Sequence, residues 1–173
     1  MRKTTVKSAK NPDKGEKMST DEQINPSGND NMSPDEATEL LISMSYEAIT
    51  YLDRAIPVYK TIAEDIGKDE EKTKNAMEEL GKAEDGLKWL ALYIHQCVES
   101  SSDVLPDTIR EKFVPFKANL LPALRQIVAE LEKVDVKALP KVITEHMLPL
   151  FSELHVAAKE ALEYLGQRIE DKK

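Results

Sequence analysis

The sequence predicts an all-α protein, an antiparallel up-down four-helix bundle with proline-kinked helices behind a disordered N-terminal leader. Three observations point there. Apolar residues recur three or four apart over four long stretches, which is the repeat of one helix face. No stretch alternates with period two over a useful length, so no strand is expected. The links between the stretches are short, which makes consecutive helices antiparallel neighbours. Spacings of three and four in turn suit left-handed packing at about 20°.

The central stretch is Ala76 to Val98. Ala76, Leu80, Ala83, Leu87, Ala91, Ile94 and Val98 mark its stripe, and Trp89 to Ile94 is unbroken apolar sequence. Such a segment is a core helix for others to pack around. It belongs to the second of four helices, expected at about 34–66, 69–101, 105–134 and 138–170 of a helical domain, 33–173. The first opens on Ser33-Pro34-Asp35-Glu36. Ser33 can cap it, Pro34 suits the first helical position, and Glu36 completes a capping box. Its stripe runs Ala37, Leu41, Met44, Ala48, Tyr51, Ala55, Val58, Ile62 and Ile66, and Gly67 closes it.

Asp69, Glu70 and Glu71 open the second helix, where the helix dipole favours acidic residues. Gly81 and Gly86 lie inside it, each costing about 1 kcal/mol relative to Ala. They are read as places where a neighbouring helix comes close. The third helix follows Pro106, with Ile109, Phe113, Phe116, Leu120, Leu124, Ile127, Leu131 and Val134 as its stripe. A break at Val114 to Pro122 would instead give five helices. The fourth carries Ile143, Met147, Leu150, Leu154, Ala157, Ala161 and Leu165.

Pro57, Pro115, Pro122 and Pro149 fall inside these helices, where each typically costs about 3 kcal/mol. Projected at about 100° per residue, all four lie opposite their stripes. They are expected to point outward, where water takes the freed carbonyls and the helix bends around the core. A functional reading adds that the kinks splay the helices and open a groove.

The chain of 173 residues is long enough to bury a sizeable core. Residues 1–32 hold six basic and five acidic side chains and few large apolar ones. They bury too little to offset the entropy of ordering, hence the expected disorder. The other eighteen basic and twenty-seven acidic residues leave −9 on 33–173. That balance argues against nucleic acid and anionic membrane as partners. Cys97 is the only cysteine, so no internal disulfide can form, and a reducing compartment fits. No secretory signal follows the basic start. No stretch reaches the roughly 20 apolar residues of a membrane span. A cytoplasmic protein is expected.

A helical bundle invites a test for metal. Di-metal sites of this kind place Glu and His three apart on inward faces. None of His95, His146 and His155 has an acidic residue three positions earlier, and all three project to the borders of their stripes. Redox pairs, haem attachment, phosphate loops and nucleophile elbows have no sequence match. No inward carboxylate pair offers a general acid and base. No enzyme, cofactor or metal is expected. The alternative is a small-molecule or metal-binding bundle that uses the three histidines.

Trp89, Leu92, Tyr93 and Gln96 depart from the simple pattern. They project about 140–240° from the centre of the second helix's stripe, onto an expected outer face. Exposed Trp and Tyr commonly anchor protein contacts. The patch would meet another protein or a second copy of the chain, unless another segment covers it. Tyr46, with Ile42 and Ile49, forms a smaller outward set on the first helix.

Ser33 and Pro34, then Glu39, Leu40 and Leu41, then Met44 to Ile49, with Leu52 and Ala55, resemble the opening helix of FliS-type flagellar export chaperones. The resemblance covers about residues 33–56. It implies a helical chaperone that binds an amphipathic client helix, with Tyr46 and its neighbours as contacts. The expected function is therefore a chaperone- or adaptor-like protein-interaction module.

Overall fold

A computed structural model describes residues 32–131 and 136–171. The expected disorder of the leader falls on residues that, Met32 apart, lie outside that range. Helix is the only regular structure among the described residues. α1 spans Pro34–Asp65, α2 Glu70–Lys82, α3 Glu84–Glu99 and α4 Asp107–Leu131. A 3-10 turn at Val136–Ala138 leads to α5, Leu139–Val142, and a π turn at Ile143–Met147 joins α5 to α6, Leu148–Glu170. The last three are contiguous, so the described residues form five helical rods.

The start of α1 is set by its sequence. The Ser33 backbone N–H donates to Glu36 at 2.9 Å, and the Glu36 N–H donates back to Ser33 Oγ at 3.3 Å. The Ser33 N–H, and the Ser33 hydroxyl that also donates to the carboxylate at 2.8 Å, hold the Glu36 carboxyl below its ordinary pKa. At the other end Gly67 adopts φ +87°, which a residue with a Cβ resists. Its N–H donates to Thr73 Oγ1 on α2 at 2.9 Å. Asp69 caps α2 by accepting from the Lys72 N–H at 2.7 Å.

The expected second helix is two helices. Ala83 ends α2 with φ −80° and ψ −8°, and its N–H reaches back only three residues, to Leu80. Gly81 lowers helix propensity just before that turn, and Glu84 and Asp85 favour a fresh N-terminus just after it. The interruption changes the buried set. Leu87, Leu90, Tyr93, Ile94 and Cys97 are buried in α3, whereas Ala91 and Val98 are only half-buried.

No break occurs at Val114 to Pro122, because α4 is continuous through both. Pro57, Pro115, Pro122 and Pro149 are all exposed, as their projection required. Pro149 has no N–H for the Glu145 carbonyl, and the turn before it is wide, with the Leu148 N–H donating five residues back to Ile143.

α1 packs on α2, α3 and α6, and α4 packs on α3 and α6. Tyr59 of α1 meets Phe151 of α6 edge-on at 5.2 Å, and Tyr93 of α3 meets Phe113 of α4 edge-on at 5.6 Å. Leu52, Leu90, Leu105, Leu139, Ile143 and Met147 are fully buried in the same core as these rings. Val58, expected on the buried stripe, is 45% exposed, and Tyr59 takes the inward place.

Candidate functional site

The sequence-predicted patch is split by depth. Tyr93 is 0% exposed, which corrects its expected place on the outer face. The reason is the turn at Ala83. It rotates the buried face of α3 by roughly 70° from the continuous stripe, at about 100° per residue, and so brings Leu90, Tyr93 and Cys97 inward. The Tyr93 hydroxyl lies 3.0 Å from Ser45 Oγ on α1, a buried pair in which each satisfies the other. Burial pushes the Tyr93 phenol far above its ordinary range. Burial likewise pushes the Cys97 thiol up to about 12, so it stays protonated and a poor nucleophile.

Trp89 lies over this buried base. Its ring is half-buried and stacks on Tyr93 with centroids 6.1 Å apart and planes 7° from parallel. Leu92, three residues on, is 50% exposed, and Gln96 is half-buried. One turn before Trp89, the tip of the Tyr51 ring occupies the place a side chain would take at Gly86. Gly86 is therefore a point of close approach, as expected, whereas Gly81 faces open space. Tyr46 is 65% exposed on α1.

The three histidines do not meet in a metal site. His95 is exposed on α3, and His146 is exposed on the π turn. His155 is half-buried on α6, its Nε2 2.9 Å from Asp53 Oδ1 of α1 but without hydrogen-bond alignment. Among the described residues, no group of three His, Cys, Asp or Glu side chains could hold a metal ion.

Two grooves run beside internal prolines. One, of about 380 Å³, lies between α4 and the segment from the π turn into α6. Asn119, Pro122, Ala123 and Gln126 line one wall; Glu145, His146, Pro149, Leu150 and Glu153 line the other. The second, of about 370 Å³, lies between Pro57, Val58, Thr61, Ile62 and Asp65 of α1 and Asn75, Ala76 and Glu79 of α2. Internal prolines are among the lining residues of both, and which other residues would face them was not legible in the sequence. No described helix is long and apolar enough to cross a membrane. The chain matches no protein-family model, no curated protein and no solved structure with which it was compared.

Proposed function

We propose that the chain is a non-enzymatic protein-binding module, an antiparallel helical bundle whose α3 face docks on another protein or a second copy. The antiparallel reading is supported by the order of contacts. Ser45 meets Tyr93 and Tyr51 meets Gly86, so residue numbers rise on α1 as they fall on α3. Asp53 lies by His155 and Tyr59 by Phe151, so α1 and α6 also run in opposite directions. The pairs α1–α3, α3–α4, α4–α6 and α6–α1 close a ring.

One observation carries the binding reading: Leu92 is half exposed, about one helical turn along α3 from a Trp89 ring already fixed on a buried base. An anchor held in place before binding loses less entropy when a partner covers it. Tyr46 is offered as a second contact, in line with the chaperone resemblance of the first helix.

Light scattering across a concentration series, with Leu92→Asp and Trp89→Ala beside the native chain, tests this. A native dimer that Leu92→Asp dissociates identifies the second copy as partner. A monomer whose cross-linked cellular partner is lost in both variants identifies another protein. Variants that keep every association of the native chain reject the α3 face.

A further inference from the structure

The groove between α4 and α6 is chemically unlike the α3 face. Ala123 is buried and Leu150 half-buried, and with the rings of Pro122 and Pro149 they make an apolar surface. The amides of Asn119 and Gln126 and the His146 ring offer it donors as well as acceptors. Glu145 and Glu153 are exposed carboxylates, and no Lys or Arg is among the lining residues. Lys141 approaches Glu145 at 3.8 Å, but no described cation pairs with Glu153.

An apolar surface beside exposed carboxylates suits one kind of group, a cation on an aliphatic stem. We propose that this groove takes a lysine- or arginine-bearing segment of a partner protein. The stem lies on Pro122, Pro149 and Leu150, and the charged head reaches Glu153 and Glu145. The net charge of −9 on residues 33–173 favours the approach of a basic segment to the whole molecule. The groove supplies the local selection.

The test is fluorescence anisotropy with labelled hexa-arginine, with hexa-glutamate as its opposite and spermidine as a free amine. The proteins are the native chain, Glu145→Gln/Glu153→Gln, Glu153→Lys and a control of equal charge change on α2, Glu71→Gln/Glu78→Gln. All four glutamates are exposed, so folding is preserved, and circular dichroism checks it. Binding of hexa-arginine should weaken by about tenfold in Glu145→Gln/Glu153→Gln and further in Glu153→Lys, and by less than about twofold in the control. Leu92→Asp should leave it unchanged, which separates this site from the α3 face. Equal losses in the groove and control variants would show diffuse charge attraction and overturn the proposal. So would absence of binding, or spermidine competing at the groove with the same dependence on the glutamates.

Discussion

Gly86 and Tyr51 show how a single missing side chain fixes a helix pair. A Cβ at Gly86 would lie 2.3 Å from Tyr51 Cε2, inside the ring's own space. Alanine there would gain about 1 kcal/mol of helix propensity, but it would push out a half-buried ring. We expect Gly86→Ala to be neutral or destabilising in the native chain and stabilising by about 1 kcal/mol when Tyr51 is already Ala. Urea denaturation of the four chains checks this; equal effects in both backgrounds would contradict the contact. The two enclosed tyrosines make a second contrast. The Tyr93 hydroxyl has Ser45 as partner, whereas the buried Tyr59 hydroxyl has none. Tyr93→Phe should cost about 1–2 kcal/mol, and Tyr59→Phe should be neutral or stabilising, because it removes an unsatisfied group. Thermal melts of the two variants decide it.

The helices themselves were largely legible, because each stripe and cap is written in local sequence. The capping box at Ser33 and Glu36, the positive φ of Gly67 and the cap at Asp69 are all interactions between near neighbours. The turn at Ala83 was not legible. Gly81 signalled weakness, but apolar spacing continues unbroken across it, so periodicity alone extends one helix through two. That one turn moved Tyr93 from the predicted surface into the core and left Trp89 and Leu92 nearer the outside. The grooves failed for a different reason: which faces of α4 and α6 confront each other is a tertiary fact that no local pattern encodes. At this scale the prolines give a test. Pro122 sits in continuous α4 at an exposed position, so Pro122→Ala restores a donor for the Ala118 carbonyl without disturbing the core. It should stabilise by about 1–3 kcal/mol. Pro149→Ala should gain less, since the π turn before it already departs from regular hydrogen bonding. Equal gains, measured by urea denaturation, would show that the π turn does not accommodate Pro149.

Over the whole molecule, the buried titratable groups set one limit of stability. Cys97 keeps its proton up to about pH 12 in the folded chain, against an ordinary value of 9.0. Tyr59 and Tyr93 are also raised above their ordinary 10.0, both chiefly by burial. The sign follows from counting protons. Below pH 9 these groups are protonated in both states and contribute no pH dependence. Above it the unfolded chain loses protons that the folded chain retains, so unfolding is favoured as pH rises. The slope is roughly 1.4 kcal/mol per pH unit for each group in its window, with the thiol first and the phenols from about pH 10. Cys97→Ala removes the first window, so its stability should hold flat for about one pH unit longer, whatever the substitution costs in packing. Urea midpoints followed from pH 8 to pH 11 for both chains test this. A native chain with no alkaline decline, or a Cys97→Ala chain that declines from the same pH, would show that the groups enclosed by α1, α3 and α6 do not govern it.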